Sequence, residues 1–285
     1  YTKESVLAHH KKWYIPNNAT LIVVGDIDEQ ETIKLVQRYF GYIRPGTLPN
    51  RARPQELDHK GVTISLVQKN QRNANIVMFF NYRIPAYRLL PKGHFNALTI
   101  LEHILSAQET SPLYKEFVHN RQAVLSVGLS CAQLSIDDRY ASLNATLAPH
   151  HCPKKFKNSV FKWVHDFVNN KLSVEDIQQA RKEIVNQKVF ISDEPTSIRE
   201  DFSALAFGVS VEDIIHQDRD LETVTLQDIK DVYNTYLNKK ADVCVMILPE
   251  KEQPKKSTPP ATNNKQEKST WVAIKEGIQA TFTKW

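Results

Sequence analysis

One pattern occurs twice in this chain, at a constant offset of 223 residues and without a gap. Thr2-Lys-Glu-Ser-Val6 leads through His10 and Trp13 into Ala19-Thr-Leu-Ile-Val-Val-Gly25. Thr225-Leu-Gln-Asp-Ile229 leads through Tyr233 and Tyr236 into Asp242-Val-Cys-Val-Met-Ile-Leu248. Each copy opens on a threonine and a polar turn, then places apolar or aromatic residues at helical spacing. A polar Asn/Lys break follows, and a β-branched run closes the copy. A repeat of this length indicates duplicated domains, not a solenoid array, whose periods are about 20–50 residues. Roughly 160 residues of folded-looking sequence, from Gly61 onward, precede the second copy, whereas one residue precedes the first. The pattern therefore predicts one whole domain preceded by the end of a truncated twin, whose chemistry is missing from the sequence.

A length of 285 residues sets a prior of about two domains. Hydrophobic residues make up 41% and charged residues 24%, enough to supply a core. The net charge is +5, but part of the excess sits in Lys251, Lys255, Lys256, Lys265 and Lys268. No Lys/Arg cluster with interleaved aromatics marks a nucleic-acid surface. No apolar run approaches the roughly 20 residues of a transmembrane span. No signal peptide is visible, and a chain that opens mid-domain would show none. Cys131, Cys152 and Cys244 are odd in number and far apart, which excludes a disulfide framework or a CxxC zinc knuckle. Cys244, inside an apolar strand, reads as a buried inert thiol.

Along the chain, Thr2 caps a helix that runs to Tyr14, with an acidic residue two positions on. Thr20 to Gly25 reads as a strand and Glu29 to Phe40 as a helix. From Arg44 to His59 three prolines and no periodicity mark a semi-extended interdomain linker. Strands are predicted over 62–68, 74–83, 124–133, 138–148 and 242–248. Helices are predicted over 94–105, 113–119, 153–169, 197–207, 211–217 and 225–238. Another starts at Ser173 with Asp176 in capping-box fashion and runs to about Ser192. Strands early and helices late argue for an α+β layer, an antiparallel sheet backed by helices. After Pro249 a polar, proline-rich stretch reads as disordered or extended. Trp271, Ile274, Ile278, Phe282 and Trp285 then fall on one helical stripe. That segment suits docking on its own domain, binding a partner, or contact with a membrane surface.

The order Lys12-Trp-Tyr-Ile-Pro-Asn-Asn-Ala19, Thr20-Leu-Ile-Val-Val-Gly-Asp-Ile-Asp28 and Arg38-Tyr-Phe-Gly41 resembles the close of the first domain in pitrilysin/insulinase-type zinc peptidases. These are relatives of the mitochondrial processing peptidase. Ser111-Pro-Leu-Tyr-Lys-Glu116, Leu172-Ser-Val-Glu-Asp-Ile-Gln-Gln-Ala-Arg-Lys182 and Val224-Thr-Leu-Gln-Asp-Ile229 look like landmarks of the family's second domain. The resemblance covers about Thr2 to Pro249. It implies duplicated antiparallel-sheet-plus-helices domains that close like a clamshell on an unfolded peptide. Residues 1–44 would then be the remnant of the zinc-bearing domain and 45–60 the linker. Residues 61–250 would be the complete second domain and 251–285 the tail.

In the family the first domain carries His-x-x-Glu-His, in which a helix presents two imidazoles on one face and a Glu polarises the metal-bound water. No such motif occurs here. The nearest is Thr99-Ile-Leu-Glu102-His103, where a hydroxyl, a poor zinc ligand, takes the first position. Glu102 and His103 therefore read as ordinary helix residues. His9-His10 and His150-His151-Cys152 are adjacent residues that point apart and read as surface. Zinc is implied for the parent protein, with its ligands upstream of Tyr1, and no metal for this chain. Some second domains add Ser-Arg-Leu-Tyr-x-x-x-Arg, with a Tyr seven residues beyond, to hold the substrate backbone. Pro112, Val118 and Leu125 stand at those three positions here. Arg121 is the candidate substrate-binding residue if the loop shifts; no catalytic residue is expected.

The resemblance thus implies a metalloendopeptidase parent whose second domain encloses substrate, or else a non-catalytic scaffold or peptide-binding subunit. The implied partners are a peptide, the missing N-terminal domain, and a homo- or hetero-dimer partner supplying Arg/Tyr. Family members in the bacterial periplasm or outside the cell tilt the compartment that way.

Overall fold

Two strands show how the period of the sequence becomes a layer. β2 (Val77–Ile84) alternates half-buried and buried residues along its whole length. β4 (Arg139–Leu147) likewise turns Ala141, Leu143, Ala145 and Leu147 inward. Successive side chains of a strand point to opposite faces, so alternation of this kind produces one dry face. The computed structural model describes residues 1–50, 63–107, 109–131, 134–192 and 195–250, with the side chains of 190–198 left aside.

β1 (Ile64–Asn70), β3 (Val124–Ser130) and β5 (Val243–Pro249) complete a five-stranded sheet in the order β1-β5-β2-β4-β3. Three of the neighbouring pairs are antiparallel, as the α+β reading requires, whereas β1 runs parallel to β5. The inner face is covered by helices α3 (His94–Ser106), α4 (Pro112–Tyr114), α5 (Pro153–Asp166), α6 (Val174–Ser192), α8 (Val211–Glu222) and α9 (Leu226–Val232). α7 (Pro195–Ala204) joins α6 to α8. α3 buries Ala97, Leu98, Ile100, Leu101, Ile104 and Leu105. That is wider than one stripe, and it fits a central helix packed between the sheet, α6 and α9. α4, α5 and α9 each run into a wider π-type turn, at Lys115–Asn120, Phe167–Lys171 and Tyr233–Leu237. These continuations account for the longer predicted helices at 113–119, 153–169 and 225–238.

Both copies of the repeat begin as predicted. Thr2 caps α1 (Lys3–Trp13) and Thr225 caps α9, each through a reciprocal capping box. α2 (Glu29–Phe40) forms over the predicted span with Asp28 as its cap. The copies then diverge. Tyr233 and Tyr236 are buried, whereas no residue of 1–50 is. The strand predicted for Thr20–Gly25 is not present, and this corrects the sequence reading. A strand is defined by its ladder, and residues 20–25 have no pairing partner among the described residues. Asn17 instead clamps Gly46, donating from Nδ2 to the Gly46 carbonyl at 2.9 Å and accepting from the Gly46 N–H at 3.0 Å. A Cβ at position 46 would lie 2.8 Å from Ile15, so this close approach requires glycine. Most of the predicted linker, and the 271–285 stripe with its tail, lie outside the described residues. Among the described residues no helix is long and apolar enough to cross a membrane.

Phe117 is fully buried and meets Phe156 and Trp163 edge-on, at centroid distances of 5.6 and 5.8 Å. Phe117→Ala is expected to cost about 3–5 kcal/mol in denaturant unfolding, the range for a large aromatic removed from a core. Val67→Thr, on the exposed edge strand, should stay within about 0.5 kcal/mol.

Candidate functional site

The segment that carries the family's second-domain landmark begins at Ser111, with Pro112 in the first helical position of α4, where its missing N–H costs nothing. Leu113 and Phe117 anchor this segment in the core. Val118 is half-buried, while Leu125 is 50% exposed on β3 beside an irregularity at Val124/Ser126. Arg121 closes the π-type turn and is 41% exposed at its side chain. Its Nε and Nη2 both donate to Glu116 Oε1, at 2.7 and 2.6 Å, and its guanidinium lies 4.9 Å from the Phe117 ring centre. Burial pushes the Glu116 carboxyl up, but hydrogen bonds from Arg121 and Asn120 outweigh that and hold it below the usual value. Gln122 follows at φ 49°, in the left-handed region that non-glycine residues seldom adopt. Arg121 is thus a fork preset by Glu116 and partly open to solvent, next to a strained backbone position.

The near-motif on α3 is used for structure. Thr99 Oγ1 donates to the Phe95 carbonyl at 3.0 Å. Glu102 accepts the Cys131 N–H at 2.6 Å, and His103 Nε2 lies 2.9 Å from Glu183 Oε2 on α6. Neighbouring residues on a helix diverge, so Glu102 and His103 reach different elements. Thr99 offers only a hydroxyl already committed to the backbone. This donor set does not fit zinc, and among the described residues no three His, Cys, Asp or Glu side chains converge on a metal position. His10 stacks on Tyr14, His150 sits at φ 67° in a turn, and His151 faces the Pro149 carbonyl.

The cysteines differ from one another. Burial pushes the Cys131 thiol well up, and its Sγ donates to the Leu98 carbonyl. The N–H groups of Lys155 and Lys154 hold the exposed Cys152 thiol below its usual value. Cys244, expected to be buried and inert, is instead half-buried, with Lys157 Nζ 3.9 Å from its sulfur. It lines a cavity that sequence reasoning missed. Lys157 follows the core residue Phe156 on α5 and carries no signal in the sequence that separates it from a solvent lysine.

Residues 1–184 match the family profile described as the peptidase M16 inactive domain. The chain belongs to the M16 peptidase family. Many solved structures share the fold, among them the following three. A protease from Helicobacter pylori is 18% identical, with a TM-score of 0.76 over 87% of this chain and 60% of that one. The peptidase M16 inactive domain from Pseudomonas fluorescens is 15% identical, with a TM-score of 0.71 over 88% and 58%. A chain of Complex III2 from Candida albicans is 12% identical, with a TM-score of 0.67 over 86% and 58%. This M16 chain therefore spans about 60% of the length of the structures it resembles. Comparison with curated proteins gives no match.

The His103–Glu183 contact has a readable pH signature. Hydrogen bonds from Gln179, then His103, hold Glu183 below its ordinary value of 4.5. A carboxylate with a depressed folded pKa adds stability that is present above the unfolded pKa and lost as pH falls through the folded one. Glu183 is 32% exposed at its side chain, so solvent screening limits the effect to about 0.5 kcal/mol. Denaturant unfolding at pH 7 and pH 3 should show Glu183→Gln losing less stability on acidification than the parent sequence.

Proposed function

We propose that this chain supplies the second, substrate-enclosing domain, with its linker, of a zinc-dependent metalloendopeptidase of the M16 family. In this reading residues 1–44 end the zinc-bearing domain, 45–60 link, 61–250 form the second domain and 251–285 its tail. The observation that carries it is the outer face of the sheet. Leu66, Val245 and Phe79 form an apolar run in one register row across β1, β5 and β2, and Ile247 and Val77 lie in the next, while Asn144 and Thr146 on β4 and Gln68 on β1 complete these rows with polar residues. Leu66 is 53% exposed and the others are half-buried. A sheet face meant for water carries polar residues throughout, so an apolar patch at its β1, β5 and β2 end fits a domain that packs or closes against another layer there.

In such an enzyme this domain works by positioning. It closes over an unfolded peptide, excludes water and fixes the scissile bond in place. Arg121, its fork held by Glu116, offers Nη1 to a peptide carbonyl. Zinc, whose ligands would lie upstream of Tyr1, would supply the activated water, and the residues of this chain would position the peptide and take no part in proton transfer. Where Pro112, Val118 and Leu125 replace the family's Arg and Tyr, a homo- or hetero-dimer partner supplies those groups.

A second reading is a non-catalytic scaffold or peptide-binding subunit. It is favoured by those same three departures, and by the likeness of fold to a Complex III2 chain.

The coding sequence immediately upstream of Tyr1 separates the two. His-x-x-Glu-His there supports the peptidase, and an upstream domain without the histidine pair decides for the scaffold. The chain alone should hold no stoichiometric zinc by elemental analysis and cleave no peptide. One tightly held zinc per chain would refute the domain assignment. In the intact enzyme Arg121→Ala should lower kcat/KM about tenfold or more, the size of a lost hydrogen bond from a charged donor.

A further inference from the structure

The inner face of the sheet is not filled throughout. A cavity of about 540 Å³ lies between it and the helices, within the range of small-molecule sites. Its walls follow a register row across the sheet: Ser65 on β1, Cys244 on β5, Leu143 on β4 and Leu129 on β3. Lys157, Phe161 and Val164 of α5 form the opposite wall. The outer end, at Thr63, Ser65, Lys239 and Lys240, is exposed or half-buried. The inner end, at Leu105, Leu113, Leu129 and Leu143, is buried and wholly apolar.

Polarity changes along this tunnel. Lys157 is half-buried and meets only a thiol and the Phe80 ring, with no carboxylate paired to it among the described residues. Lys240 at the mouth also has no ion pair there, whereas Lys239 engages Asp242 at 3.5 Å. Tyr82 and Tyr233 are 4% exposed and line the same space, and neither hydroxyl has a hydrogen-bond partner among the described residues. Neither hydroxyl oxygen is sealed from the cavity, so both tyrosines, which line it together with Lys157, can donate to an incoming acceptor. A peptide would carry amide groups into the inner end, where nothing can bond them, at a cost of about 1–3 kcal/mol each. Hydrocarbon meets no such cost.

We propose that this tunnel binds a single-chain aliphatic carboxylate, its tail against Leu105, Leu113 and Leu129 and its head at Lys157 near the mouth. The site is separate from Arg121 and independent of the peptidase reading.

The test is isothermal titration of the purified full chain with dodecanoate below its micelle concentration, beside dodecanol and butyrate. One dodecanoate per chain is expected, with dodecanol and butyrate each at least tenfold weaker. Lys157→Met keeps the volume of the wall and should weaken dodecanoate about tenfold while leaving dodecanol unchanged. Ser65→Trp, on an exposed edge strand, should obstruct the mouth and abolish binding of both. Circular dichroism and thermal melting confirm that each variant is folded. If Lys157→Met fails to fold, Ser65→Trp and the three-ligand comparison decide alone. No binding, non-saturating uptake of several chains, equal affinity for dodecanol and dodecanoate, or full binding by folded Ser65→Trp each overturns the proposal.

Discussion

The sheet depends on one insertion: β5, near the end of the described chain, lies between the first two strands. Asp242 pins its entry. Its carbonyl accepts the Ile64 N–H at 2.9 Å, its N–H donates to the Asn81 carbonyl at 2.8 Å, and its carboxylate accepts the Arg83 N–H at 2.6 Å. Residues separated by more than 150 positions thus meet at one point. Until β5 arrives, β1 has no neighbour and one edge of β2 is open. Contacts so distant in sequence make loop closure the slow step, and they leave strand edges open to wrong pairing meanwhile. The same insertion explains the inequality of the two copies. The second copy's β-branched run finds a slot with ladders on both sides. The first copy's run, with similar propensity, has no described strand beside it and stays without regular structure.

What the sequence made legible was local. Thr2 and Ser173 cap helices as expected, and Thr225 does the same, because an N-cap needs only a side-chain oxygen and the N–H three residues on. The apolar spacing of α5 and the alternation of β2 were equally plain, since burial follows the backbone period. Strand direction was not plain. Alternation records which face is dry and says nothing of which way a neighbour runs, so the parallel β1–β5 pair was hidden. The π-type turns that extend three helices were hidden too, because they alter hydrogen-bond register and leave composition unchanged.

Site residues were legible only as absences. The lack of a histidine pair and the substitutions at Pro112, Val118 and Leu125 stand in the sequence itself. The environment of Arg121 does not. Its carboxylate partner, Glu116, lies five residues back, a distance that an ordinary helical turn does not bring together and a π-type turn does. Lys157 shows the same limit more sharply. Its position after Phe156 marks the border of the apolar stripe, and only the sheet opposite determines whether such a lysine meets water or a cavity.

The acid–histidine pair on α3 deserves a physical reason other than metal. α3 is buried on most sides, and polar groups on such a helix are unfavourable unless each finds a partner. Glu102 finds the N–H of Cys131 at the end of β3, whose carbonyl in turn accepts from Arg139 Nη1 at 2.6 Å and whose thiol returns to α3 at Leu98. His103 points the other way, to Glu183 on α6. The two side chains therefore fasten the central helix to the sheet on one flank and to the next helix on the other. Metal binding would need both to turn toward a common point, breaking both attachments and leaving the Cys131 N–H without its carboxylate. The arrangement is stable because the groups diverge, and for that reason it is not a metal centre.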